Sequence, residues 1–418
     1  MKRIVCVFVV FIEFLLPGFS QTGEDHNSIN QNKNVITSIS ILGLKRTKLY
    51  VIEKYLQKFI GRTEDDVDSN EVYVTINETN VLEPISIEIT DNETENGKTL
   101  LVTVKEKWTV FPVPFFSINS GRWSVGGALV DTNAFGVMDM VNIGGDYGSD
   151  SWSLNLIYMK MPKTVGDFGF TILGMFKHQD TENTEQTGND VLQRFNNITI
   201  NPKVSMSYKL TELITTSFDV SYHYIRLTDT ENPVNAPLDG IHSIGLSPRI
   251  SLRKSTWDGY LISEKNVSLG YNYKFIIGAD NAQSVSLNGV FNHPIIPGFL
   301  MTVKSGILFS SSSPFFESKP ISPINILSSK YSALNYAAAS VGLKKYILKF
   351  GLGTVSIAAA YQAAYSHGVF LEHQFDHGPV VTAQMYFSRL AIPGVGLGAA
   401  YNVSKNSFQL AANIGLFF

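Results

Sequence analysis

Apolar and polar side chains alternate at every second position through most of the chain beyond residue 110, in segments of roughly 10–15 residues. In one such segment the apolar positions are Phe218, Val220, Tyr222 and Tyr224, and the positions between them are polar. Because successive side chains of a strand point to opposite faces, each segment predicts a strand with one apolar and one polar face.

The length of these segments and the composition of their polar faces favour a membrane-spanning barrel over a soluble sandwich. Strands of soluble sheets usually have ~5–6 residues, whereas these are long enough to cross a bilayer at a tilt. The polar faces carry Asn, Ser, Lys and Arg, as a water-filled barrel interior does. Residues expected to face lipid include Ile200, Val220, Leu269 and Leu410. Residues expected to face the lumen include Lys203, Asp219, Lys274 and Arg249.

The alternation identifies sixteen candidate strands, an even number, as single-chain bacterial barrels have. They span residues 111–119, 123–131, 138–147, 151–161, 167–177, 195–210, 214–226, 244–253, 266–276, 284–292, 299–309, 334–347, 354–366, 380–388, 394–403 and 408–418. The first contains Pro112 and Pro114, which are unfavourable inside a sheet. The long connections are 178–194, 227–243, 310–333 and 367–379. If the last strand ends in the periplasm, all four lie on the outer side, as expected of an outer-membrane barrel.

The last predicted strand has an uninterrupted apolar face. Its alternating residues are Phe408, Leu410, Ala412, Ile414, Leu416 and Phe418. A soluble edge strand with such a face would be prone to aggregation. The pattern resembles the C-terminal β-signal by which outer-membrane proteins are recognised for insertion. The resemblance implies that the signal residues are Phe408, Leu410, Ile414, Leu416 and Phe418.

The N-terminus has the three parts of a secretory signal peptide. Residues 2–3 are basic, residues 4–16 are apolar, and residues 18–20 form a small-x-small cleavage site. The apolar stretch is shorter than the ~20 residues of a membrane-spanning helix. We therefore expect residues 1–20 to be a signal peptide and residues 21–33 a flexible lead of an exported chain.

Composition excludes several classes of function. Lys and Arg number 33 and Asp and Glu 36, so no excess of positive charge favours nucleic acid as a partner. The only cysteine, Cys6, lies in the predicted signal peptide, which excludes thiol chemistry in the exported chain. His373 and His377 have the i,i+4 spacing of metal ligands, but they fall in a predicted outer loop, where a surface metal site is the weaker alternative. We expect no metal, no cofactor and no enzyme active site.

Residues 34–107 predict one small α+β domain with the element order β-α-α-β-β. The signals are a β-rich stretch ending at Gly43, helical spacing from Leu49, a helix cap at Asp68 or Ser69, and a turn at Asn96-Gly97 between two alternating strands. The barrel is expected to occupy the rest of the chain, residues 108–418.

The small domain and the barrel together resemble the BamA/TamA family of outer-membrane assembly factors, with the small domain similar to a POTRA domain. For the POTRA domain the resemblance rests on ISILGLKRTKLYVIEKYL (39–56), NVLEPISIEIT (80–90) and LLVTVKEKW (100–108). For the barrel it rests on ALVDTNAFGVMDMVNIGGDYG (128–148) and VVTAQMYFSRLAIPGVGLGAAYN (380–402). The resemblance covers most of the chain at the level of patterns.

The chain departs from the family in the long loop 310–333. Family members carry an Arg-Gly-aromatic motif there, which folds into the lumen against acidic residues, but this loop has no arginine and the chain has no Arg-Gly pair. The strands expected to face the loop, 335–346 and 354–365, have no Asp or Glu. An unpaired buried charge is costly, so loss of one partner favours loss of the other. We expect a lumen plug that includes Pro314, Phe315 and Phe316 and is held by packing.

The resemblance implies a barrel in the cell outer membrane with its N-terminal domain in the periplasm. Its function would be insertion, assembly or translocation of outer-membrane or secreted proteins. The partners would be the lipid bilayer, unfolded client proteins and other subunits of an assembly machinery. The alternative is a passive channel or structural barrel that has lost insertase activity, which the missing arginine motif favours.

Overall fold

The computed structural model describes two folded parts, a small N-terminal unit and a sixteen-stranded barrel. The described residues are 34–79, 81–92, 97–119, 122–149, 151–184, 191–231, 240–258, 261–311, 319–327, 332–350, 353–367, 373–387 and 393–414. None of the helices in these ranges is long and apolar enough to cross a membrane.

The N-terminal unit has the predicted order of elements. They are β1 (Ile36–Leu42), α1 (Leu49–Leu56), α2 (Ser69–Asn77), β2 (Leu82–Asp91) and β3 (Lys98–Glu106), with short 3-10 helices at Gln57–Phe59 and Glu64–Asp66. Strand β3 lies in the centre of the sheet, parallel to β1 and antiparallel to β2. Asp68 caps α2 by accepting a hydrogen bond from the backbone N–H of Asn70 at 2.8 Å.

The two helices cover one face of the small sheet, because their apolar residues recur once per turn. The core between helices and sheet consists of Ile36, Ile52, Leu56, Phe59, Val67, Val72, Ile76, Val81, Leu82, Leu100, Val102 and Val104. The opposite face of the sheet is polar, and Ser38 and Thr99 share a hydrogen bond of 2.7 Å there. The unit thus has a core of its own.

The barrel strands follow in chain order. They are β4 (Val110–Asn119), β5 (Arg122–Ala134), β6 (Asp139–Gly148), β7 (Ser151–Lys160), β8 (Phe168–Thr184), β9 (Val191–Lys209), β10 (Ile214–Glu231), β11 (Ile241–Asp258), β12 (Leu261–Ile277), β13 (Ala282–Ile296), β14 (Phe299–Ser310), β17 (Asn335–Phe350), β18 (Gly353–His367), β19 (Gln374–Phe387), β20 (Pro393–Asn402) and β21 (Ser407–Ile414). Two short strands, β15 (Lys319–Pro320) and β16 (Ser332–Ala333), pair within the loop between β14 and β17.

The predicted number of strands is confirmed, and each pairs antiparallel with its neighbours in one closed sheet. The closure joins β21 to β4. Since the chain reverses at every connection, the connections after β8, β10, β14 and β18 all lie at the end of the barrel remote from the N-terminal unit. The long loops are therefore on one side, as predicted.

Two sets of predicted boundaries were wrong. Strand β19 begins at Gln374 rather than at residue 380, so residues 374–379 of the predicted loop 367–379 belong to the strand. Strands β8 to β11 extend well past their predicted ends at the loop side, for example to Glu231 in β10. The added residues, such as HQDTENT at 178–184, are polar at consecutive positions, so the apolar alternation disappears while backbone pairing continues.

The two faces of the barrel wall separate as the alternation predicts. Val220 is 42% exposed and Leu410 60% exposed, both on the outside. Asp219, next to Val220, is buried on the inside and forms an ion pair with Lys203 at 2.5 Å. The same outer phase carries exposed large apolar residues around the wall, such as Leu154 and Leu343. An apolar outside around a polar inside is the arrangement of a transmembrane barrel.

We predict that Val220→Arg destabilises the folded barrel by about 2–4 kcal/mol, because it places a cation in the lipid-facing band. The adjacent Ser221→Arg, which points into the lumen, is the matched control and should have much less effect. Urea unfolding in lipid vesicles measures both. Equal losses of stability would contradict the assignment of the two faces.

Candidate functional site

The barrel closes at a seam between its first and last strands, β4 and β21. In the described part of the chain these strands pair at four positions, from Ala411 opposite Asn119 to Ile414 opposite Phe116. The adjacent ladder between β20 and β21 pairs at eight positions. Residues 415–418 lie outside the described part of the chain, so these four pairs are the described portion of the closing ladder.

Pro112 and Pro114 of β4 lie before Phe116, where the described pairing with β21 ends. Proline has no backbone N–H to donate, and the N–H groups of alternate residues in a strand point to opposite neighbours. The ladder between β4 and β5 runs through both prolines without interruption, with Pro112 opposite Leu129 and Pro114 opposite Gly127. The backbone N–H groups that bond to β5 must then come from the alternate residues of β4, such as Phe111 and Val113. The two proline nitrogens therefore point to the seam.

The predicted β-signal residues lie on the other side of the seam. Phe408 and Leu410 are exposed on the outer face of β21. Ile414 ends β21, and its backbone pairs with that of Phe116. Leu416 and Phe418 lie outside the described residues. The recognition role of these five residues stays a prediction.

Part of the long loop between β14 and β17 lies against the lumen side of the wall. Ile321, Ile324, Ile326 and Leu327 are buried, and they pack against small side chains of four strands. Those wall residues are Ala338, Ala364, Val380 and Ala400. We call residues 321–327 the lumen segment. Pro314, Phe315 and Phe316, which were predicted to form the plug, lie outside the described residues.

Hydrogen bonds from the wall fix the backbone of the lumen segment. The N–H of Asn325 donates to the side-chain oxygen of Gln362 at 2.7 Å. The carbonyl of Ile326 accepts from the side-chain amides of Asn402 at 3.3 Å and Gln409 at 3.1 Å. Asn402 lies in β20 and Gln409 in β21, so the segment is bound to the last two strands beside the seam.

A buried acid supports this contact, and the sequence analysis missed it. Asp376 of β19 is fully buried and accepts hydrogen bonds from Asn402, at 2.9 Å, and from Gln374. Asp376 thereby orients the Asn402 amide that binds Ile326. The polar neighbours His373 and His377 predict a loop at this position. In the structure, Asp376 occupies an inward position of strand β19. Its alternation with the exposed Phe375 was the available signal.

We predict that Gln409→Leu frees the lumen segment without preventing folding. The change removes one donor to Ile326, worth about 1 kcal/mol, and also removes a buried side-chain oxygen that has no hydrogen-bond partner. Open events in planar bilayers should become about fivefold more frequent. The control is Asn272→Leu, an amide bonded to Ser247 at 2.7 Å on a distant part of the wall. Equal effects of the two changes would refute the contact.

The N-terminal unit is docked on the barrel through the turn between β5 and β6. Arg46 forms an ion pair with Asp131 at 2.6 Å and donates to the Thr109 hydroxyl at 3.0 Å, at the base of β4. The side-chain amide of Asn133 donates to Thr47 at 2.9 Å.

The backbone on the unit's side is held by Glu106, whose carboxylate accepts from the N–H groups of residues 45–47. Burial alone would raise the pKa of Glu106, but these hydrogen bonds lower it below its ordinary value.

A second contact joins α1 to the turn between β7 and β8. Lys54 forms an ion pair with Asp167 at 2.9 Å. Burial opposes ionisation of Asp167, but the hydrogen bonds from Lys54 and the Lys163 N–H lower its pKa overall. A carboxyl with a lowered pKa stabilises the docked state above the ordinary pH range of carboxyl titration, and this contribution is lost as the pH falls through the lowered pKa. Beside it, burial and the charges of Asp167 and Asp139 raise the pKa of Tyr55.

Gly136 permits the docking because its backbone has a φ of +73° and approaches the unit closely. Its carbonyl accepts from the Lys48 N–H at 2.8 Å. A Cβ on Gly136 would lie 2.2 Å from the carbonyl oxygen of Arg46. The turn therefore needs glycine both for its conformation and for the contact.

We predict that Gly136→Ala loosens the unit from the barrel and speeds trypsin cleavage after Lys107 by about fivefold, as expected from a loss of ~1 kcal/mol. Gly298→Ala, in the turn between β13 and β14, is the matched control. Gly298 has a similar φ of +79°, but a Cβ there would have no described atom within 4 Å. Equal acceleration in both variants would mean that backbone strain alone, and not the contact with Arg46, explains the effect.

The other chemistry-bearing residues singled out in the sequence do not form a common site. His373 and His377 are four positions apart along an extended chain, about 13 Å, and they contact aromatic residues of β18. His377 shares a hydrogen bond of 2.5 Å with the Tyr361 hydroxyl, and His373 stacks on Tyr365. Across the described ranges no group of three or more His, Cys, Asp or Glu side chains could hold a metal ion.

Comparison with known proteins gives a match in structure but not in sequence. No family model and no curated protein matches the chain. BamA from Haemophilus ducreyi lacking POTRA domains 1–3 is similar, with 13% identity, a TM-score of 0.58, and 91% of this chain and 84% of that chain covered. CdiB from Acinetobacter baumannii has 13% identity and a TM-score of 0.63, with 92% and 74% covered. CdiB from Escherichia coli has 11% identity and a TM-score of 0.64, with 91% and 76% covered.

These similarities confirm the fold that the sequence resemblance predicted. The chain has the fold of BamA-type outer-membrane barrels. At 11–13% identity the likeness concerns the fold alone.

Proposed function

We propose that this chain resides in the outer membrane of a bacterium and acts in the insertion, assembly or translocation of outer-membrane or secreted proteins. The seam between β4 and β21 carries the proposal, because it joins the first and last strands of the wall and because Pro112 and Pro114 supply no N–H groups to that side of β4. The N-terminal unit would lie in the periplasm as a POTRA-like domain, in a chain whose residues 1–20 are removed on export. The role requires no catalytic group, cofactor or metal.

A client strand can compensate for opening the seam. Backbone groups exposed to lipid cost several kcal/mol each when they have no partner, so an open seam is unstable by itself. A client strand that pairs with the freed edge of β21 or β4 supplies the missing donors and acceptors. Pro112 and Pro114 contribute no N–H donors on the seam side of β4, so fewer hydrogen bonds can hold that edge. The number of hydrogen bonds formed with the client strand is then nearly equal to the number broken at the seam.

The N-terminal unit offers a second edge for an unfolded client. In the sheet order β1-β3-β2, the outer edge of β2 has no partner strand within the described residues. Pro84 and a register shift interrupt the start of β2, whereas residues 86–91 pair regularly with β3. An extended peptide can add to such an edge by β-augmentation. The docking through Arg46 and Lys54 would hold this edge at a constant position below the barrel, where other subunits of an assembly machinery could also bind.

The alternative function is a passive channel or structural barrel. It is favoured by the lumen segment, which lies on the wall through apolar packing and amide hydrogen bonds, and by the absence of arginine from residues 310–333. A passive channel has no need to open its seam. The two functions therefore differ in their response to a covalent lock across β4 and β21.

We predict that a disulfide between Ser117→Cys and Asn413→Cys abolishes client assembly. The two positions face each other across the seam. Because the odd-numbered residues of β4 direct their N–H groups to β5, this is a non-hydrogen-bonded pair with a Cα separation of about 4.5 Å, which suits a disulfide. After depletion of the native chain in its host, the locked variant should leave outer-membrane and secreted proteins depleted, and a reductant should restore them.

The control is the pair Ser207→Cys and Ser217→Cys, which lies across β9 and β10 far from the seam. This second lock should leave assembly unchanged. If the seam lock forms fully and the client proteins remain at native levels, the assembly role is refuted and the passive channel is supported.

A further inference from the structure

Two lysines lie directly opposite each other on the outer face of the barrel. Lys254 of β11 pairs with Lys265 of β12 in the backbone register. Both share the phase of residues that are exposed on the outside, Ile250 in β11 and Tyr271 in β12. Like charges at directly opposed positions of a sheet are destabilising. An anion between the two ammonium groups would offset this repulsion.

Aromatic rings place this lysine pair at the membrane boundary. The Lys265 ammonium lies 5.2 Å from the ring centre of Phe291, which is opposite Lys265 in β13. Further along the wall, the Lys345 ammonium lies 4.8 Å from the ring centre of Phe299, the residue opposite it in β14. All three lysines are in the part of their strands near the short turns, on the side of the N-terminal unit. Rings in this position form the aromatic girdle at the level of the lipid headgroups.

No carboxylate of the wall neutralises these lysines in the described structure. The nearest acid in sequence, Glu264, belongs to the inner phase and forms an ion pair with Arg253 at 3.2 Å. The outward positions of β12, β13, β14 and β17 whose side chains are described include no Asp or Glu. Over the described outward side chains of β12, β13, β14 and β17 the charge is therefore positive at headgroup level.

We propose that Lys254 and Lys265 form a binding site for the phosphate of an anionic phospholipid in the periplasmic leaflet. A phosphate between the two ammonium groups would offset their repulsion, and the acyl chains would lie on the exposed apolar residues of the same face. Lysine side chains near a membrane boundary extend toward the headgroups, which brings both charges to one lipid. The proposal rests on the barrel fold and, for the choice of leaflet, on the periplasmic position of the N-terminal unit given under the proposed function, but it does not depend on the assembly role.

The test measures lipid retention by native mass spectrometry. The purified full chain is equilibrated with micelles that contain equal amounts of phosphatidylglycerol and phosphatidylethanolamine. Each lysine near a membrane surface contributes to attraction of anionic lipid, so we expect the wild type to retain phosphatidylglycerol in roughly tenfold preference. The double variant Lys254→Gln/Lys265→Gln should lose that preference, and each single variant should lose part of it. Heat-modifiability gels show whether every variant is folded.

The control removes two charges that already lie near carboxylates. It is Lys160→Gln/Lys209→Gln, since Lys209 pairs with Glu212 at 2.7 Å and Lys160 lies near Asp167. This variant should retain phosphatidylglycerol like the wild type. Equal retention of the two lipids by the wild type, or the same loss of preference in both double variants, would overturn the proposed site. Retention of a co-purified acidic protein at this face in place of lipid would overturn it as well.

Discussion

A strand inside a hydrocarbon layer can satisfy its backbone N–H and C=O groups only by pairing with another strand. The structure depends on this constraint, because sixteen strands satisfy it only when the ring is closed. Fifteen of the ladders connect strands that are neighbours along the chain, whereas closure requires residues far apart in sequence to meet, such as Asn119 and Ala411. Pro112 and Pro114 weaken β4 on that side, since their nitrogens point to the seam and carry no N–H.

Both sides of the seam are held by contacts elsewhere in the molecule. On one side, β21 is bound through Gln409 to the carbonyl of Ile326. The last strand can therefore move away from the lumen segment only when this hydrogen bond breaks. On the other side, Arg46 of the N-terminal unit binds Thr109, immediately before β4, and Asp131 of β5. Displacement of either strand thus breaks hydrogen bonds inside the lumen or at the docked unit. The stability of the seam is therefore set by these contacts as well as by its own ladder.

The sequence predicted the barrel well because its signal is local, whereas the contacts that tie the barrel together are not. Period-two alternation at Phe218, Val220 and Tyr222 depends only on which face of one strand meets lipid. It failed at Asp376, where polar residues occupy both faces, and at the long ends of β8 to β11. The docking of Arg46 on Asp131 joins residues 85 positions apart, and nothing in either segment alone indicates the other. Pro112 and Pro114 were noted as a weakness of a strand, but only the register shows that they act at the seam.

The outer face of the barrel is not uniform around its circumference, and the asymmetry follows from strand order. Lys254 and Lys265 lie on β11 and β12, the eighth and ninth of sixteen strands, so they are diametrically opposite the seam between the first and the last. The N-terminal unit contacts turns between the second and fifth strands, on the seam half of the barrel. A lipid bound at the lysine pair would hold β11 and β12, which lie across the barrel from the strands that separate in the proposed function. Lipid attachment and seam opening would then act on opposite walls without competing.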